Sequence, residues 1–203
     1  MKRVFIIVII LLSIVLAVSI WMNISSSKEG VRARQYLFNA FFSELTNASR
    51  ELDDLILLID DNDFDDAMKR NAILNISDCL VRADTLLRQY QYSTLAGLNY
   101  REAYGFGYIS HTLRYGQGVS NDTPWNGVLF DNIISENECL YLIALGDDIS
   151  HIIVEMKSID DPFNENRNLT IAQMNSILSD FSDKWSYHNE KSPYFLLESD
   201  NKT

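Results

Sequence analysis

Residues Tyr100–Tyr115 read YREAYGFGYISHTLRY, with four tyrosines, a histidine, a glutamate and two glycines in one short stretch. On a helical wheel at about 100° per residue, Tyr100, Tyr104, Tyr108, His111 and Tyr115 share one stripe. Phenol rings pack as hydrocarbon while their hydroxyls seek a partner or water. The stripe therefore reads either as a ligand-binding face or as one side of a central core helix. Leu95, Leu98, Phe106, Ile109 and Leu113 take the opposite side, so both sides of this predicted helix lean apolar. Gly97, Ala103 and Gly107 leave room beside the tyrosines for a groove or a closely crossing backbone. Trp125, in the loop from Gly116 to Gly127, is placed to fold back over the stripe. Such a cleft would suit sugars, peptides or amphipathic small molecules. Glu102 falls on the aliphatic side, where an unpaired carboxylate is costly and tends to protonate. Its expected partner is an arginine from another helix; the functional reading is an acid of raised pKa.

Two places carry residues that suggest metal chemistry. Asp61, Asp63 and Asp65 begin a calcium-loop spacing, but Asp66 stands where glycine is required and Ala72 where the bidentate glutamate is required. This stretch reads instead as an acidic interhelix loop supplying helix N-caps. Asp148 and His151 have the i, i+3 spacing of half a di-metal bundle site, without a second such pair to complete it. A solvated helix face is the expectation, with Glu155 one turn further on. Gly116-Gln-Gly118 lacks the lysine and the preceding strand of a phosphate loop. There is no Gly-X-Ser-X-Gly, His-Glu-X-X-His or Cys-X-X-Cys pattern. No catalytic residue, metal or cofactor is assigned.

The elements carrying these residues follow from periodicity. Leu37, Phe41, Leu45, Ala48, Leu52, Leu55 and Ile59 recur at helical steps. Ala72, Ile76, Cys79 or Leu80, Ala83, Leu87 and Tyr90 make a second stripe. The tyrosine stretch forms a third helix, from about Leu95 to Tyr115. Thr123-Pro124 reads as an N-cap with proline at the first helical position, opening a fourth helix to about Lys157 with Ile134, Tyr141, Leu145, Ile149, Ile152 and Met156 on one side. Thr170-Ile-Ala-Gln173 is a capping box with Leu169 positioned to staple onto Met174. It opens a shorter fifth helix bearing Leu178, Phe181 and Trp185. Short connections favour antiparallel neighbours, so the fold expected is all-α: an up-and-down bundle of four long helices plus a shorter C-terminal one. The segment 188–203 reads as a loosely ordered tail.

Ahead of the bundle, Val4–Met22 is an uncharged run. As a helix it would be about 28 Å long, close to the hydrocarbon thickness of a bilayer. Trp21 sits where an interfacial aromatic belongs. Ala17-Val18-Ser19 could serve as a signal cleavage site, but bulky Ile20, Trp21 and Met22 extend the run past it, which favours an uncleaved signal-anchor. The expected organisation is a short cytoplasmic N-terminus (1–3), a transmembrane segment (4–22), a polar hinge (23–30) and an extracytoplasmic helical domain (31–187). With cleavage, the domain would instead be secreted.

The chain carries 28 acidic against 17 basic residues, a formal net charge of −11. Such a surface repels nucleic acid and anionic lipid headgroups. Outside the cytoplasm a Cys79–Cys139 disulfide is permitted, although both cysteines sit among apolar neighbours, which favours buried thiols. Six Asn-X-Ser/Thr sequons begin at Asn23, Asn47, Asn75, Asn121, Asn168 and Asn201. The leading expectation is a membrane-tethered interaction or assembly module without catalytic activity, whose partner is another membrane or envelope protein. The alternatives are an exported ligand-binding domain with a tyrosine-lined cleft and, behind it, a cell-envelope enzyme. No pattern in the sequence sets an oligomeric state.

Overall fold

The computed structural model describes residues 2–60, 65–93, 98, 100, 105–116, 128, 134–157, 169–186 and 188–200. Six helices span them: α1 (Lys2–Asp60), α2 (Asp66–Ser93), α3 (Phe106–Tyr115), α4 (Glu136–Met156), α5 (Ile171–Lys184) and α6 (Tyr194–Asp200). No strand occurs among the described residues, so the chain is all-helical. Two compact units are present, Met1–Tyr36 and Leu37–Thr203.

In the first unit the expected hinge at 23–30 has helical backbone, within α1. Side chains of residues 1–15, 17, 21 and 23–29 lie outside the description, Trp21 among them. Among the described residues, no helix is long and apolar enough to cross a membrane.

The second unit is a helical bundle built on the predicted stripes. Phe41, Leu45, Ala48, Leu52 and Leu55 are buried on α1; Ile76, Cys79, Leu80, Ala83 and Leu87 are buried on α2. Tyr141, Leu145, Ile149, Ile152 and Met156 do the same on α4, and Met174, Leu178 and Phe181 on α5. Cross-helix polar pairs give the directions. Glu44 meets Arg82 and Glu51 meets Asn75, so α1 and α2 are antiparallel. Ser77 meets Ser110 and Asp78 meets Arg114, while Asp84 lies against Gly107, so α2 and α3 are antiparallel as well. A Cβ on Gly146 would touch Leu52 and Ile56, and Ser49 meets Ser150 at 3.1 Å, which sets α1 against α4 in the same sense.

Helix starts follow local chemistry. The Asp65 carboxylate accepts from the Ala67 N–H at 3.2 Å, capping α2 from within the acidic loop; Asp61 and Asp63 lie outside the described residues. The Thr170–Gln173 capping box opens α5 as the sequence indicates. The start of α4 corrects the sequence reading. It begins at Glu136 behind a Ser135–Glu138 capping box, and Thr123 and Pro124 lie outside the described residues. The third helix is likewise shorter than expected, opening at Phe106 rather than near Leu95. Gly105 is extended, and no side chain of its own caps the helix. Gly116 ends α3 at φ 66°, a left-handed conformation that glycine adopts without a Cβ penalty.

Within the C-terminal segment, residues 188–197 pack onto the bundle. Ser186, Asn189, Ser192 and Pro193 carry a succession of turn hydrogen bonds that leads into α6. Tyr194 and Leu197 are then buried in the core. Proline one residue before α6 sacrifices no helical N–H, the logic that the sequence reading applied at Thr123-Pro124 and overlooked here. Because Tyr194 is only 1% exposed, Tyr194→Ala is expected to cost about 3–5 kcal/mol, as large-to-alanine core changes do. Urea unfolding of the full chain measures this; an unchanged midpoint would show that α6 does not contribute to the core.

Candidate functional site

The described residues of the tyrosine stretch fall in different surroundings. Tyr100 lies outside α3, and Glu102, Tyr104 and Trp125 lie outside the described residues, so the aromatic cleft and the buried-acid reading have no geometry here. Tyr108 is half-buried, whereas His111 and Tyr115 are exposed, their rings 5.0 Å apart.

Tyr100 has a structural task instead. Its buried hydroxyl donates to Asp84 Oδ1 at 2.6 Å and accepts from the Phe106 N–H at 2.8 Å, supplying the cap that Gly105 lacks. Asp84 is 1% exposed and is paired along α2 with Arg88, whose Nε donates to Oδ2 at 2.7 Å. A buried carboxylate is tolerated only with such partners. The two glycines of YGFGY follow from the same crowding. A Cβ on Gly105 would lie 1.9 Å from the Tyr100 hydroxyl, and one on Gly107 would lie 2.8 Å from Asp84 Oδ2. Burial, reinforced by the adjacent carboxylate, pushes the Tyr100 phenol well above its ordinary pKa.

A second aromatic group joins α3, α4 and α6. Tyr141 and Tyr194 each pack edge-on against Trp185, with centroids 5.2 and 5.5 Å away, and Tyr108 packs edge-on against Tyr194 at 5.5 Å. Burial raises the Tyr141 and Tyr194 phenols well above their usual range and pushes Tyr108 up to about 12. These phenols are core groups held neutral. No disulfide joins Cys79 and Cys139. Cys79 is buried beside Arg82, and burial pushes its thiol up despite the opposing pull of that guanidinium, which leaves little reactive thiolate.

A groove of about 330 Å³ lies between α4 and α5. Asp148, His151, Ile152 and Glu155 line it from α4, one helical face at i, i+3, i+4 and i+7. Ser176, Ile177, Asp180, Phe181 and Lys184 line it from α5. Asp148 is committed elsewhere: Lys184 Nζ donates to Oδ1 at 2.6 Å and the Trp185 indole N–H to Oδ2 at 2.9 Å. Both carboxylate oxygens are thus engaged, and the i, i+3 pair with His151 is a wall of the groove. Among the described residues no group of three or more His, Cys, Asp or Glu could hold a metal ion. Sequence reasoning put Asp148, His151 and Glu155 on one face but had no means of naming the α5 residues opposite. Compared with known families, curated proteins and solved structures, the chain matches none of them.

Two outcomes follow from the buried network. A helical glycine-to-alanine exchange ordinarily gains up to about 1 kcal/mol, yet Gly107→Ala is expected to destabilise the protein, because the new methyl collides with Asp84. In an Asp84→Ala background the same exchange should become neutral or stabilising, so a double-mutant cycle measures the collision. Additive effects would disprove it.

The second outcome is alkaline unfolding. The phenols of Tyr100, Tyr108, Tyr141 and Tyr194 have folded pKa values raised above the ordinary 10.0. Above that pH the unfolded chain releases protons that the folded chain retains, so stability is full below about pH 10 and falls as pH rises beyond it. Tyrosinate absorbance and helical circular dichroism should therefore change together for these four residues. Ionisation of all ten tyrosines with the helices intact would contradict the burial.

Proposed function

We propose that this protein is a membrane-tethered interaction module without catalytic activity. Its recognition surface is the α4–α5 groove, and its partner is another membrane or envelope protein. The observation that carries this reading is an accessible groove set beside a core that holds its buried phenols and carboxylate in internal contacts. Tyr100, Asp84, Tyr141 and Tyr194 are buried and engaged, while the groove presents charged and apolar side chains together.

The uncharged Val4–Met22 run supports a signal-anchor, with the acidic helical domain on the far side of the membrane. The antiparallel pairings of α1 with α2, α2 with α3 and α1 with α4 support an up-and-down bundle, with three long helices rather than four. The charge of −11 argues against nucleic acid as the partner.

Two measurements test the proposal. Protease added to intact cells or spheroplasts should digest the domain while sparing cytoplasmic controls; full protection would overturn the orientation, and a mature N-terminus at Ile20 would replace the anchor with a cleaved signal. A photocrosslinking residue at Ser176, in the groove, should give a discrete adduct in membranes, whereas one at exposed Thr85 on α2 should not. No adduct at Ser176, or equal adducts at both, would remove the groove as an interaction surface.

A further inference from the structure

The groove is chemically lopsided. At one end Asp148 is neutralised by Lys184 and fixed by the Trp185 indole. Elsewhere along it, Glu155 on α4 and Asp180 on α5 are exposed and make no ion pair with any described residue. Ile152 and Phe181, both buried, and half-buried Ile177 add an apolar lining. Two carboxylates without an ion pair, on separate helices of one groove that also has an apolar lining, match a side chain that has an apolar stem and a cationic head. Lysine and arginine are built this way, laying their methylenes on apolar surface while the head stays among polar groups. A bare metal ion would make no use of the apolar lining. The overall charge of −11 draws a cationic partner toward the surface.

We infer that the α4–α5 groove receives a lysine- or arginine-bearing segment of the partner protein, with its cationic head between Glu155 and Asp180 and its stem on Ile152, Ile177 and Phe181. This rests on the interaction-module reading and gives its partner a chemistry. A volume of about 330 Å³ admits one long side chain and a neighbour, so the recognised unit is a short basic-apolar segment.

The probe is a blocked peptide of alternating leucine and lysine, compared with a twin carrying glutamine in place of lysine. Each is titrated into the full isotope-labelled chain in detergent micelles and followed by NMR. The lysine peptide is expected to shift the Ile152, Ile177 and Phe181 signals, and the twin to bind about tenfold more weakly, as two partly screened ion pairs would give. Glu155→Gln combined with Asp180→Asn should weaken the lysine peptide by the same factor and leave the twin unaffected. Both side chains are exposed, so the double variant should keep the parent melting temperature, which verifies its fold. Equal binding of the two peptides, full affinity in the double variant, or shifts scattered over the whole acidic surface would overturn the inference. A Ser176 photocrosslink that persists in the double variant would also overturn it, while leaving the interaction module standing.

Discussion

A carboxylate with almost no exposure to water sets the terms for the α2–α3 half of the bundle. Asp84 cannot stay buried alone, since desolvation of a charge far outweighs any packing gain at one site. Arg88 supplies a counter-charge from one turn along α2, and its own exposure of 43% lets the guanidinium keep contact with solvent. Tyr100 supplies a neutral donor from outside the helices. Because its hydroxyl also accepts the first amide of α3, the place where α3 begins depends on where the α2 carboxylate lies. Gly105 and Gly107 complete the arrangement by lacking the atoms that would collide with it. Below this contact Ser77 and Ser110 meet at 2.6 Å, another pair of small residues that lets α2 and α3 come close.

The other half of the core solves a different problem. Tyr141, Tyr194 and Trp185 are large amphipathic rings with almost no exposure. Their edge-on contacts suit the quadrupoles of the rings, and α6 is held largely through Tyr194 and Leu197. Trp185 also reaches outward, since its indole N–H holds Asp148 at the groove. The aromatic core and the accessible surface are therefore joined by one hydrogen bond, and the groove wall inherits the rigidity of the core.

Periodicity made the stripes on α1, α2, α4 and α5 legible, because a face that must leave water writes itself into the sequence at helical spacing. The Thr170–Gln173 box was legible for the same reason: its chemistry is local. Three things were not. Helical spacing carried the expected third helix back to about Leu95, whereas its start at Phe106 rests on tertiary contacts of Tyr100 with Asp84 and the Phe106 amide. The start of α4 went to Thr123-Pro124 although Ser135-Glu-Asn-Glu138 carried an equally good box, an error of choice between two local signals. The α6 segment is too short for periodicity to register, and its Ser192-Pro193 start was the available cue. Of the candidate site, Asp148, His151 and Glu155 could be placed on one face, but whether that face met solvent or another helix depended on α5, and nothing local says so.

The groove gains from being assembled after the core has taken its share. Recognition by a flexible surface must order that surface at the moment of binding, and each immobilised side chain costs affinity. Here the ordering has largely been done by folding. Ile152 and Phe181 are held by the packing that stabilises the bundle. Asp148 cannot rotate without giving up both Lys184 and Trp185. Glu155, Asp180 and His151 are exposed along the same groove. A surface whose apolar lining is already fixed costs less to order on binding than a flexible one would.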